Sequence, residues 1–251
     1  MASWLESHSP RLFDELAMNE TIRTNLRKVS LQANPPHLIL AGPPGVGKTA
    51  AWRLIARQIL GPSWRSTTHV LQARDLARSA GAMKTFEDFL RPGGSSSKDT
   101  LAGRSSLDSF DSNITNAVEG DTPPAGIENH ESNNQPSSKV SRLIIIEDAD
   151  HLGPTRQPYL RRMMEKVGEA SRFVLVARAP SRIIDALRSR SQMIRIPSTD
   201  RETITRTLSE IAEKNGCVTA EGVLEDISYI SEGNLKKAVF TLEMLDSRGL
   251  C

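Results

Sequence analysis

Residues 42–49 read GPPGVGKT, and residues 144–150 read IIIEDAD. The first stretch fits G-x-x-x-x-G-K-[ST] at every fixed position. Its glycines free the backbone to turn N–H groups onto phosphate oxygens. Lys48 brings a point charge toward a β- or γ-phosphate, and Thr49 offers a hydroxyl to Mg²⁺. A helix opening at this point adds its partial positive charge. Gly42, Pro43, Pro44, Gly45, Val46, Gly47, Lys48 and Thr49 are therefore the candidate phosphate-binding residues. In the second stretch, three β-branched residues run into acids. A phosphate cradle that works with Mg²⁺ needs a second strand ending in an acid, often with a neighbouring carboxylate that orients an attacking water. LIIIEDAD is the only hydrophobic strand pattern in the chain that ends in acids. Glu147 becomes the candidate Mg²⁺ ligand through water and Asp148 the candidate partner of the attacking water, while Asp150 suits a cap for the helix that follows. These residue types fit hydrolysis and equally fit a site that only holds nucleotide.

The elements around these residues follow from periodicity. An apolar strand over 38–41, the glycine-proline loop, and a helix with Ala51, Leu54, Ile55 and Ile59 on one face form a strand–loop–helix unit. Before it, residues 14–33 place Leu16, Ile22, Leu26 and Val29 near helical spacing, with Asn19 and Glu20 opening the second half. A second strand is expected at 68–71 and a short amphipathic helix at 83–90. After LIIIEDAD come a helix over 157–170, a strand RFVLVAR, a short helix SRIIDALRSR and a strand QMIRIP. Alternating strands and helices predict a parallel sheet with helices on both faces. From Thr199 the strand patterns stop, and three capped or glycine-ended helices predict a small all-helical domain over 198–251. Residues 92–138 are dense in Ser, Gly, Asn, Pro and Asp, which reads as a long mobile insertion, with a transient helix at 106–118.

The bulk composition sets limits. A chain of 251 residues can bury a proper core and holds one or two domains. Lys and Arg number 32 against 30 Asp and Glu, so attraction to nucleic acid must come from a local face. Aromatic content of 4% argues against a stacking platform for single strands. Two cysteines, Cys217 and Cys251, are too few for a disulfide framework or a zinc site, which suits a reducing compartment. No window approaches the ~20 apolar residues of a membrane span, and the N-terminus carries no secretion signal. The expected setting is soluble and intracellular.

Several motifs in register resemble a family, the AAA+ ATPases, and within them the small subunits of clamp loaders (replication factor C). Residues 4–16, WLESHSPRLFDEL, are similar to that family's opening W-x-E-x-x-x-P-x-x-x-x-E-[IL]. EDADHL followed by LRRMMEK (160–166) is similar to D-E-A-D-x-L and L-R-R-x-M-E. IIDALRSRSQMIRI (183–196) is similar to the S-R-C region, and EGNLKKAV (232–239) to G-D-x-R-x-A. Order and approximate spacing match over nearly the whole chain except 92–139. The resemblance implies an α/β P-loop domain at 1–197 with a parallel five-stranded sheet, a helical lid domain at 198–251, and ATP with Mg²⁺ as cofactors. The family's helical collar after the lid has no counterpart in residues 1–251.

Residue by residue, Arg190 in SRS matches the arginine that such a subunit inserts into a neighbour's ATP site, where it would stabilise the developing phosphoryl charge. Ser191 stands where the family has cysteine. Lys236 falls where the family's lid arginine touches the γ-phosphate; lysine keeps the charge and loses the bidentate fork. The acid pair is reversed relative to D-E, so Glu147 is one methylene longer at the Mg²⁺ position and Asp148 one shorter at the water position. Arg178 occupies a position where the family often has an asparagine that positions water, and a guanidinium has no acceptor for that task. A misplacement of about 1 Å at a catalytic group can cost about 10²-fold in rate. The implied partners are other clamp-loader subunits in a ring, the sliding clamp (PCNA) and primer–template DNA, with no membrane. Arg156, Arg161, Arg162 and Lys166 are the DNA-backbone candidates. Met83, Phe86 and Phe89 offer an apolar patch for the sliding clamp. The alternatives are a nucleotide-binding scaffold subunit of the same ring, and another DNA-processing ATPase such as a branch-migration helicase or an origin-binding protein; the lack of a winged-helix pattern after the lid speaks against the latter. The expected location is cytoplasm or nucleoid for an archaeal chain and nucleus for a eukaryotic one, with the divergent residues pointing to an accessory archaeal subunit.

Overall fold

A computed structural model describes residues 3–76, 81–90, 123–126, 139–166 and 170–250. In chain order its elements are α1 (Trp4–Ser7), α2 (Glu20–Ser30), β1 (His37–Ala41), α3 (Lys48–Leu60), α4 (Trp64–Thr67), β2 (Thr68–Gln72), α5 (Ala73–Leu76), α6 (Ala82–Leu90), β3 (Arg142–Glu147), α7 (Gly153–Lys166), β4 (Ser171–Ala177), α8 (Asp185–Arg188), β5 (Ser191–Arg195), α9 (Arg201–Asn215), α10 (Val223–Ser231) and α11 (Leu235–Ser247). The five strands form one sheet in the order β2-β3-β4-β1-β5, and every neighbouring pair is parallel. The fold is the expected α/β one, with a helical group after the last strand.

The strands read as continuous apolar runs because both faces of the sheet are covered. Leu38, Leu40, Leu143, Ile145, Val174 and Val176 point to one side, where they pack with Trp52, Leu54 and Ile55 of α3 and Leu26 and Val29 of α2. The alternate residues Ile39, Ile144, Ile146, Phe173 and Leu175 point to the other, against Phe86 and Phe89 of α6 and Leu160 and Met164 of α7. A third cluster holds the helical layer together through Ile204, Leu208, Ile227, Val239 and Leu242. Trp4 and Leu5 pack against this third cluster, and the Ser3 hydroxyl and the Trp4 N–H both donate to the Glu243 carboxylate. The chain's first helical turn therefore rests on the C-terminal helices.

Caps agree with the sequence. Asn19 accepts from the Ile22 N–H at 2.9 Å, and Asp200 accepts from the Thr203 N–H at 2.8 Å and from its hydroxyl at 2.9 Å. The helix expected at 157–170 instead starts at Gly153 and carries Pro158 in its interior. Proline removes one backbone donor there. The adjacent Gln157, 4% exposed, is tied instead to the loop after β4, donating to the Arg182 carbonyl and accepting from the Ile184 N–H.

Two other expectations change. Phe86 is 0% and Phe89 3% exposed, and Met83 packs against the same cluster, so this helix is core and offers no apolar patch to a sliding clamp. Of the segment 92–139, expected to be solvated, residues 123–126 and 139 are described, and 123–126 join the core. Ala125 is 2% exposed, its N–H donates to the Gln58 side chain at 2.9 Å, and the Pro124 carbonyl accepts from the Phe13 N–H at 3.0 Å. The helix expected within 106–118 lies outside the described residues. Among the described residues, no helix is long and apolar enough to cross a membrane.

Candidate functional site

The loops that leave the C-terminal ends of β1, β3 and β4 meet along one edge of the sheet, where ligands of open α/β folds are bound. The glycine loop departs from β1. Gly45 (φ +75°) and Gly47 (φ +89°) take left-handed conformations that a side chain would strain, and a Cβ on Gly42 would lie 2.0 Å from the Ile196 carbonyl oxygen. Val46 is buried beneath the loop, whereas Pro44 is exposed above it. Lys48 opens α3, and its ammonium donates to the carbonyl oxygens of Gly42, at 2.7 Å, and Pro43. Its pKa is lowered chiefly by burial and then by Arg178, with Asp148, Glu147 and Asp150 pulling the other way.

Glu147 ends β3 beside this loop. Its Oε1 accepts from the Thr49 hydroxyl at 3.2 Å and from the Trp52 indole N–H at 2.9 Å, and its Oε2 accepts from the Gln72 amide at 3.0 Å. A hydroxyl and a carboxylate facing one another at the mouth of a glycine loop are hard oxygen donors of the kind Mg²⁺ prefers. The positive-φ glycines, the forward-placed lysine and this donor pair fit a Mg²⁺-nucleotide. When bound, that ion would neutralise phosphate charge between Thr49 and Glu147.

Asp148 is held differently. It adopts φ 50° and ψ 42°, a left-handed conformation rare outside glycine. Its carboxylate is flanked by Arg74, at 3.0 Å from Oδ2, and Arg178, at 3.5 Å from Oδ1. Asp150, 7% exposed, accepts from the Arg178 backbone N–H at 3.3 Å and lies 3.7 Å from His151 Nδ1. Asp150 thus secures the loop after β4 to the loop after β3. Ligand atoms of Asp148, Asp150 and His151 approach within 4.8 Å of one another.

Above these groups lies a cavity of about 430 Å³. Its floor is the glycine loop with Glu147, Asp148 and Arg178; its walls include Leu5, His8 and Pro10 from the N-terminal segment, and Ile211, Leu235, Lys236 and Val239 from α9 and α11. The helical layer touches the loop directly, since the Lys236 N–H donates to the Gly45 carbonyl at 3.1 Å. Asn234, the N-cap of α11, lies against Gly45 so closely that a Cβ there would be 1.7 Å from its Oδ1.

The remaining candidates lie outside this cavity. At the end of α8, Arg190 donates to the Ala186 carbonyl at 2.9 Å and pairs with Glu165 at 2.8 Å. Glu165 also faces Arg161, at 3.8 Å. Arg162 is exposed with its guanidinium 6.0 Å from the Tyr159 ring, Lys166 is exposed, and Arg156 donates to the Leu152 carbonyl at 3.2 Å. Sequence reading did not single out Trp52, Gln72 or Arg74 for the site. Trp52 could have been noticed, because it sits three residues after Thr49 on one helix and so shares its face. Gln72 and Arg74 reach the acids only through the pairing of β2 with β3, which places Gln72 directly opposite Glu147.

The model of the family described as "ATPase family associated with various cellular activities (AAA)" matches residues 38–198. Replication factor C small subunit 2 of Pyrobaculum islandicum is 29% identical over 241 residues, which cover 96% of this chain and 62% of the relative. The replication factor C small subunit of Thermofilum pendens is 30% identical over 240 residues, covering 96% and 61%. The chain thus spans less than two thirds of the length of these curated relatives. Among solved structures, the RuvB Holliday junction branch migration motor of Thermotoga maritima is similar with a TM-score of 0.57 at 17% identity, covering 96% of this chain and 67% of that one. At that identity the likeness is one of fold.

Proposed function

The chain belongs to the AAA ATPase family, and from that premise we propose that it is an ATP-binding subunit of a clamp loader, one that helps to open a sliding clamp and load it on primer–template DNA. The observation that carries this reading is the continuity of the match. Similarity to replication factor C small subunits runs through 96% of the chain, so it does not stop at the glycine loop and extends into the helical layer. In this reading ATP lies in the cavity with its phosphates on Gly42 to Thr49, Mg²⁺ between Thr49 and Glu147, and Lys236 reaching from α11. Arg190, exposed at the end of α8, acts in a neighbouring subunit's site, and Arg156, Arg161, Arg162 and Lys166 meet DNA phosphates. A fluorescent ATP analogue should bind the wild-type chain, and the chain should join the other clamp-loader subunits in a complex retained on immobilised sliding clamp with ATP. No retention by the assembled complex would sink the proposal.

A second reading, a subunit that binds nucleotide and hydrolyses it poorly, is favoured by one observation. Asp148, the acid next to the Mg²⁺ position and the candidate for orienting an attacking water, is flanked by Arg74 and Arg178. Turnover in a ring whose other subunits all lack the lysine equivalent to Lys48 distinguishes the two readings. Hydrolysis surviving in that ring comes from this site and removes the scaffold reading.

A further inference from the structure

We infer that Trp52 and Gln72 are positioning residues that hold the Glu147 carboxylate against Thr49, and that they set how strongly nucleotide binding depends on a divalent cation. The inference rests on the nucleotide reading of the site and adds to it how a glutamate can serve at this point of the strand. Glutamate has one more rotatable bond than aspartate, so a free Glu147 would sweep a larger volume and lose more entropy on being ordered. In this chain that freedom is removed by three donors on two elements. The Thr49 hydroxyl (3.2 Å) and the Trp52 indole (2.9 Å) both bind Oε1, and the Gln72 amide (3.0 Å) binds Oε2.

The supports are themselves fixed. Trp52 is 2% exposed in the core between α3 and the sheet, so its N–H has no water to turn to and is satisfied by Glu147. Gln72 is the last residue of β2 and the direct register partner of Glu147, the last residue of β3. Indole and amide reach the carboxylate from two different elements, α3 and β2, one on each oxygen. The carboxylate is thereby held at both oxygens, with Oε1 shared between the indole and the Thr49 hydroxyl. Neither residue lines the cavity, so neither needs to touch nucleotide.

The test measures affinity of the full chain for a fluorescent ATP analogue, with Mg²⁺ and with EDTA. The variants are Trp52→Phe, which keeps the ring and removes the N–H, and Gln72→Leu, each in the wild-type and Glu147→Asp backgrounds. The expected result is that each variant weakens the Mg²⁺-bound affinity about tenfold, the scale of one charge-assisted hydrogen bond, and shifts the EDTA affinity less than about twofold. In the Glu147→Asp background, whose shorter carboxylate no longer reaches both donors, Trp52→Phe should then have little further effect. A wild-type chain that responds to Mg²⁺ alongside variants that respond equally, or variants that lose affinity equally with and without Mg²⁺, would overturn the inference and leave the nucleotide reading standing. A wild-type chain whose binding ignores Mg²⁺ would overturn the inference alone, and a wild-type chain that binds no nucleotide under either condition would remove both. Gln72→Leu lies at a strand end and keeps the question answerable if Trp52→Phe fails to fold.

Discussion

At the scale of single residues, the site divides into groups that are ready and one that is restrained. Lys48 is ready, since its ammonium lies among the loop carbonyls where phosphate oxygens would displace them. Lys48→Ala should weaken binding of an ATP analogue by about 100-fold, corresponding to about 2–3 kcal/mol for bonds to a charged group. Fluorescence anisotropy reads this directly, and an affinity within about threefold of wild type would show that the loop alone holds the phosphates. Asp148 is restrained. Two guanidinium groups compete for the lone pairs that an attacking water would need. Arg178→Asn removes one of them and supplies an amide oxygen that can accept from water. Steady-state turnover by the assembled complex should rise about tenfold, at unchanged nucleotide affinity. If turnover stays flat, the ion pair is not what limits hydrolysis, and the reversed lengths of Glu147 and Asp148 become the remaining explanation.

At the scale of elements, the contact between the helical layer and the glycine loop is the part most exposed to a small change. Gly45 combines a positive φ with Asn234 in the space a Cβ would take. Gly45→Ala must therefore strain the loop and displace the Asn234 side chain that caps α11. The expected outcome is nucleotide affinity lowered about tenfold or more and a thermal midpoint lowered by a few degrees, as for a loss of about 1–2 kcal/mol at a strained position. Calorimetry with and without nucleotide separates the two effects, and an unchanged midpoint would mean that the Asn234 side chain moves away at no cost. A similar logic explains what could be read from the residues beforehand. The strands, α3, the glycine loop and the acid-bearing strand were legible because each is written locally, as a run of β-branched residues or a capped 3.6-residue period. The helix cap at Asn19 was legible for the same reason. The supports of the acids were not. Gln72 lies 75 residues before Glu147 in the chain, with Arg74 just after it, and both meet the acids only through strand pairing. Phe86 and Phe89 misled for the converse reason: an amphipathic pattern reports that one face is apolar, and whether core or partner covers it depends on the sheet beneath.

At the scale of the whole molecule, two histidines tie the sheet's stability to pH. His37 begins β1 and His69 lies in β2, near opposite sides of the sheet order. Each is lowered from 6.5 to about 4, in both cases mainly by burial, with Arg172 adding to the effect at His37 and Arg142 at His69. At His37 the geometry agrees, because Nδ1 accepts from the Phe173 N–H at 3.1 Å, and a proton on that nitrogen would set donor against donor. The folded state thus holds these imidazoles neutral where the unfolded chain would protonate them. Between about pH 6.5 and pH 4 the unfolded state binds more protons, so stability contributed by the neutral pair is fully present above pH 6.5 and is lost as the pH falls toward 4. At about pH 5 the loss is on the order of 2 kcal/mol per histidine, and most carboxylates are still ionised there, which keeps the effect distinguishable from general acid unfolding. Because both residues sit in one sheet, the loss should appear as a single cooperative shift of the urea midpoint between about pH 7 and pH 5, about half of it removed by His69→Gln. A midpoint that does not move over that interval would mean that the two imidazoles are solvated in the folded protein.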